Sequence, residues 1–202
     1  MSKEVTKYLT RADPVLGRFI KKYDPVAMAP NNRITLFEAL VKSVIGQQLS
    51  GKAASSILSK LKDQVGGKKN ISPEKILGTP FRKIRGAGVS ESKARTIVAL
   101  AKLTEAGAIP SARKMKGMSD EEIIDILTSV KGIGRWTVEM ILMFKLGRKN
   151  VMPATDLGVR KGYSIIFGHK ELAMPKAILE HSRIWSPYRS FVAKYCWEAA
   201  DE

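Results

Sequence analysis

The sequence predicts an all-α protein, on three grounds. Apolar residues recur at helical spacing through nearly the whole chain, helix start signals precede the periodic runs, and no convincing run of strands is found. Leu36, Phe37, Leu40, Val41, Val44 and Ile45 share one helical face, and Thr35 with Glu38 has the spacing of a capping box at its start. Ala53, Ile57, Leu58, Leu61 and Val65 form the next amphipathic run. Ser72 followed by Pro73 fits an N-cap and first helical residue, and Ser119 with Glu122 repeats the capping-box spacing. Loops fall where Gly, Pro and Asn cluster: Ala29 to Asn32, Gly66 to Asn70, Gly107 to Pro110 and Gly147 to Pro153. This reading yields about nine to eleven helices with no interdomain linker between them.

The 202 residues suffice for one compact domain or two small lobes with a sizeable core. Lys and Arg number 35 against 19 Asp and Glu, a net charge of +16. The excess runs from Lys3 to Lys194 instead of forming a tail, which favours a folded surface for a polyanion, nucleic acid above all. The loop pair Lys68 and Lys69 reads as solvated charge. A single cysteine, Cys196, excludes a disulfide framework and any four-cysteine zinc or iron–sulfur site. No segment reaches the roughly twenty apolar residues of a membrane span, and the polar start lacks the apolar core of a signal peptide. An intracellular protein, in cytoplasm and nucleoid or in a nucleus, is expected.

Gly46-Gln-Gln-Leu-Ser-Gly-Lys-Ala53 matches a nucleotide-binding phosphate loop except at Ala53, where the magnesium-binding hydroxyl is missing. A helical pattern rather than a strand precedes it, so nucleotide hydrolysis is not expected. A more telling run is Leu127-Thr-Ser-Val-Lys-Gly-Ile-Gly-Arg-Trp136. Gly132 and Gly134 flank one apolar residue, so the backbone can turn tightly and aim its N–H groups outward at the start of a new helix, a natural site for an anion. A Gly-capped helical turn with no ligand is the plainer alternative. Twenty residues on, Asp156 stands in Pro153-Ala-Thr-Asp-Leu-Gly158, either a helix N-cap, a catalytic carboxylate, or both.

Four motifs in order resemble those of the helix-hairpin-helix DNA glycosylases, in the branch of the 3-methyladenine DNA glycosylase II family. They are Leu40 to Ala54; Ile84-Arg-Gly-Ala-Gly-Val-Ser-Glu-Ser-Lys-Ala94; the hairpin with Asp156; and Trp185-Ser-Pro-Tyr-Arg-Ser190 leading to Trp197. The resemblance runs from about Thr35 to the C-terminus. It implies a two-lobed fold with the active site in the cleft between lobes, without the N-terminal β-rich domain of longer relatives. It makes residues 1–202 one glycosylase domain: one lobe of about 34–130, a second of about 1–33 with 135–202, and the hairpin at about 127–136.

What the resemblance implies about residues is specific. Lys131, Gly132, Ile133, Gly134 and Thr137 would bind a DNA phosphate through the hairpin. Gln48, with Gln47 beside it, would be the wedge that fills the stack when a base is flipped out; alternatively both glutamines cap a helix end. Trp136, Trp197 and Met140 would line the base pocket, where an indole face attracts an alkylated, cationic purine by about 0.5–2 kcal/mol. Met140 stands where some relatives carry an aromatic residue. Trp136 also occupies the place where strand-cutting relatives have a Schiff-base lysine, and neither Lys131 nor Lys145 matches that position. The implied enzyme is therefore monofunctional and leaves an intact abasic site, with Asp156 stabilising the oxocarbenium-like transition state or activating water. His169 and His181 match no catalytic position. The implied partner is double-stranded DNA containing alkylated bases, bound by a monomer. No catalytic metal, cofactor or iron–sulfur cluster is expected, although the hairpin carbonyls could hold a structural cation. The rival readings are a non-catalytic DNA-binding protein and a bifunctional lyase.

Overall fold

The computed structural model describes residues 2–23, 26–67 and 70–202; Lys68 and Lys69 lie outside them. Among the described residues there is no strand, and thirteen α-helical segments appear instead of nine to eleven. The surplus comes from short pieces, such as the four-residue Ala112–Met115 and the five-residue Pro73–Leu77, which are too brief to show a 3.6-residue period.

The chain divides into two compact units. One comprises Asn31–Ile141; the other combines Met1–Pro30 with Leu142–Glu202. The second crossing between them lies within a helical run, at Ile141 and Leu142, rather than at the hairpin where the sequence reading drew it.

The central unit contains α3 (Leu36–Gly46), α4 (Gly51–Gln64), α5 (Pro73–Leu77), α6 (Phe81–Gly86), α7 (Glu91–Glu105), α8 (Ala112–Met115), α9 (Asp120–Thr128) and α10 (Arg135–Met140). Helix α7 packs against α3, α5 and α6, and Leu40, Val44, Leu61, Ile76, Ile84, Ile97 and Leu100 are buried in this unit. The predicted box at Ser119 and Glu122 forms in both directions and starts α9. The one at Thr35 forms only by half. Its hydroxyl caps Glu38 N–H, but the Glu38 carboxylate, 2% exposed, instead accepts from Lys62 at 2.6 Å and from Ile71 N–H at 3.4 Å. A buried carboxylate gains more from a charged partner than from a helix-end amide that its neighbour Thr35 leaves in reach of water.

The terminal unit contains α1 (Ser2–Ala12), α2 (Pro14–Ile20), α11 (Leu157–Phe167), α12 (Pro175–His181) and α13 (Arg189–Asp201). Buried Asp13 caps α2 by accepting from Val15 and Leu16 N–H through Oδ1, while its Oδ2 accepts from Trp185 Nε1 at 3.0 Å and lies 3.4 Å from His181 Nε2. His181 Nδ1 in turn shares a 2.9 Å hydrogen bond with the Tyr163 hydroxyl. Both histidines therefore belong to an aromatic cluster with Tyr163, Phe167 and Trp185.

Helices α11 and α13 approach until backbone meets backbone. A Cβ on Gly162 would stand 1.7 Å from the Cys196 carbonyl oxygen, and one on Gly158 would stand 2.7 Å from Trp197 Cδ1. Glycines four apart on α11 thus clear one face for α13. At the head of that contact stands Asp156, whose Oδ1 accepts from the Trp197 indole.

Candidate active site and DNA interface

The hairpin is built from the end of α9. After Val130, Lys131 is exposed, Gly132 takes φ +93, Ile133 plugs into the core at 4% exposure, and Gly134 is the N-cap of α10. Gly132 is obligatory here, since its φ is left-handed and a Cβ would lie 2.1 Å from Thr96 Oγ1 on α7. Gly134 contributes no capping side chain, and nothing lies within 4 Å of where its Cβ would be. The first turn of α10 therefore has no side-chain acceptor from its cap, and space is open beside the cap itself, the arrangement suited to an incoming anion.

The neighbouring side chains are occupied within the unit. Arg135 pairs with Glu121, at 2.5 and 3.0 Å, and with Glu139 at 3.3 Å; the hydrogen bond it donates to Glu121 holds the guanidinium above its ordinary value. Thr137, expected at the phosphate, is 1% exposed, and its hydroxyl accepts from Gln47 Nε2 at 3.0 Å. Gln47 also donates to the Gly132 carbonyl at 3.1 Å. The expected wedge pair thus separates: Gln47 turns inward as a tie to the hairpin, because that burial satisfies two acceptors, and only Gln48 projects. Gln48 is exposed with φ 57, an uncommon left-handed conformation for a residue other than glycine.

Trp136 and Met140 lie four residues apart on α10, hence on one face, and both are half-buried. A π-helical turn, Ile141–Lys145, follows directly. Such turns are rare and recur at functional sites.

In the terminal unit Asp156 is the N-cap of α11. Its Oδ1 accepts from Val159 N–H at 2.9 Å and from the indole N–H of Trp197 at 2.8 Å. The N-cap reading of Asp156 is thus met, and the cap fixes the carboxylate in place. Trp197, expected as a pocket wall, holds the acid through its ring nitrogen. Its ring lies 5.6 Å from that of Phe144, tilted by 32°. Phe144 was not singled out from the sequence. It is 45% exposed, unusual for a phenyl ring, and stands eight residues after Trp136, on the continuation of the Trp136 and Met140 spacing that could have flagged it.

Two further groups feel this neighbourhood. Burial, then the Asp156 charge, pushes the Cys196 thiol far up. Burial pulls the Lys145 amine below the ordinary lysine value. Among the described residues no group of three or more His, Cys, Asp or Glu is placed to hold a metal, and no helix is long and apolar enough to cross a membrane.

An all-helical chain with a glycine hairpin opening one helix and an aspartate capping another defines a helix-hairpin-helix protein. The chain belongs to the HhH-GPD superfamily of base excision DNA repair proteins, whose family model matches residues 41–187. It is 38% identical to DNA-3-methyladenine glycosylase 1 of Schizosaccharomyces pombe, over 81% of this chain and 72% of that protein. Among solved structures it is similar to the 3-methyladenine DNA glycosylase of the same yeast in complex with abasic DNA, with a TM-score of 0.87 and 34% identity over 96% of this chain and 95% of that one. It is also similar to a DNA-3-methyladenine glycosidase of Bacillus halodurans, with a TM-score of 0.85 and 33% identity over 97% and 88% of the two chains.

Proposed function

We propose that the protein is a monofunctional DNA glycosylase of base excision repair that removes alkylated purines, 3-methyladenine foremost and 7-methylguanine with it, from double-stranded DNA. The observation that carries this reading is the Asp156 carboxylate, immobilised by Val159 N–H and the Trp197 indole at the head of α11. Alkylation at N3 or N7 makes the purine cationic, so the base departs with the electron pair of the N-glycosidic bond without a strong proton donor. Positive charge then develops at the sugar, and a carboxylate that needs no reorganisation stabilises it. Water adds to C1′ and loses a proton, to Asp156 or to solvent, leaving an abasic site.

The remaining residues have parts consistent with this chemistry. Gly132, Gly134 and the exposed Lys131 take a backbone phosphate, which fixes register without reading sequence. Gln48 fills the vacated stack. Trp136 and Met140 in the central unit, and Trp197 and Phe144 in the terminal unit, each bring apolar and π surface of the kind that attracts a flat cation. Trp136 brings no amine, so no Schiff base forms and the strand stays intact. A cation at the hairpin would have to share carbonyls already in use, since those of Val130, Lys131 and Gly132 accept from Ile133 N–H, Thr96 and Gln47. It would be structural, and no step runs through it.

The test is incubation with a methylated duplex. Alkali-labile sites should accumulate, no strand break should form before alkali, and borohydride should trap no protein–DNA adduct. A trapped adduct would establish the lyase reading, with Lys145 the first residue to examine. DNA binding without any alkali-labile site would establish a non-catalytic protein.

A further inference from the structure

Three side chains of the central unit hold the turn after α3 and the hairpin, and two of them come from one face of α7. Lys93 Nζ donates to the carbonyls of Ile45 at 2.9 Å and Gln47 at 2.6 Å, at the C-terminal end of α3. Carbonyls there lack intrahelical partners, and the helix dipole favours a cation beside them. Glu91, the acid closest in sequence, is engaged by Arg85 and Arg95. Three residues along α7, Thr96 Oγ1 donates to the Lys131 carbonyl at 3.0 Å, sharing its proton with the Ser92 carbonyl at 3.1 Å, and sits directly under Gly132. Gln47 closes the circuit through its amide, bonded to the Gly132 carbonyl and the Thr137 hydroxyl.

The circuit surrounds the one described non-glycine residue with positive φ, Gln48. The Gln47 carbonyl belongs to the peptide plane that leads into Gln48, so the grip of Lys93 orients that plane. A left-handed glutamine persists only where its surroundings over-determine it. Here they do so from both sides, because Ser50, two residues on, caps α4 through Ala53 N–H.

We propose that Lys93, Gln47 and Thr96 are positioning residues that hold Gln48 at a fixed stand-off from the hairpin, so that gripping the backbone phosphate delivers the probing side chain into the base stack. The proposal rests on the reading of Gln48 as a wedge. It assigns a separate task to each member. Lys93 touches only the α3 end and serves the wedge; Thr96 touches only the hairpin among the two and serves phosphate binding; Gln47 serves both.

The test uses a duplex with 2-aminopurine opposite a stable abasic analogue, so that insertion of the wedge raises fluorescence without any chemistry. At saturating protein, Lys93→Met should lose most of the rise while its Kd stays within about threefold of wild type, since the hairpin is untouched. Lys93→Arg should restore the rise, because a guanidinium still donates to both carbonyls. Thr96→Val should weaken Kd and keep the rise at saturation. Gln47→Leu should lose both, and carries the test alone should Lys93→Met fail to fold, as judged by circular dichroism. In single-turnover base release, Lys93→Met should slow duplex substrate about tenfold, the worth of one charge-assisted hydrogen bond, and single-stranded substrate hardly at all. An unchanged fluorescence rise in folded Lys93→Met, or in Gln47→Leu where Lys93→Met does not fold, equal slowing on duplex and single strand, or no rise with the wild-type chain would overturn the proposal. A wild-type chain that raises fluorescence yet releases no base would sink the glycosylase reading and leave this one standing.

Discussion

Two helix N-termini in this molecule are finished in opposite ways. Helix α10 begins at Gly134, which has no side chain to offer, whereas α11 begins at Asp156, whose own carboxylate fills the site. The same set of backbone donors thus serves two ends. Left open, it suits an anion from outside; closed by an aspartate, it fixes that carboxylate in place. The glycines nearby differ in kind as well. Gly132 is required by its positive φ and its seat on Thr96, while Gly158 and Gly162 have ordinary helical geometry and are required by the nearness of α13.

That contrast can be broken most severely at α11. Gly162→Ala drives a methyl into the Cys196 backbone, which cannot step aside, so thermal unfolding should show a loss of about 3 kcal/mol or more. A loss below 1 kcal/mol would mean that α11 and α13 do not meet as described. Next in size, Gly134→Asp should close the open helix end with its own anion. Affinity for duplex DNA at low salt should fall more than about tenfold while the melting temperature holds or rises, because aspartate is the better N-cap. Undiminished binding would show that the α10 terminus is not the phosphate site.

Gly158→Ala sharpens the comparison. The added methyl meets the flexible edge of Trp197 rather than backbone, so the chain should fold, but the displaced indole should release Asp156 and slow base release about tenfold. An unslowed variant would show that Trp197 does not orient the acid. The smallest effect concerns Cys196. Its thiol is raised in the folded state, so between the ordinary thiol value and the folded one the native chain binds more protons than the unfolded chain, and stability falls as pH rises. Relative to Cys196→Ala, wild type should lose up to about 1.4 kcal/mol per pH unit above about pH 9, followed by urea unfolding. Parallel profiles would remove the thiol from that account.

Both termini are legible in the sequence, whereas the contacts that hold them are not. The hairpin announces itself, because a tight turn into a helix demands glycines at fixed spacing, and the capping box at Ser119 and Glu122 and the aspartate before α11 are equally local signals. What supports them is not local. Gln47 meets Gly132 across 85 residues, Lys93 meets Gln47 across 46, and Trp197 meets Asp156 across 41. No spacing rule reaches that far. Hence Gln47 reads as a wedge beside Gln48, and Glu38 as a capping-box acid, until the packing shows what each one touches.

Asp156→Asn separates the charge of the carboxylate from its cap, because asparagine caps a helix as well as aspartate but carries no charge. Release of base from a methylated duplex should fall at least about a hundredfold, with the melting temperature and the affinity for abasic DNA unchanged. A variant that releases base at the wild-type rate would contradict the account.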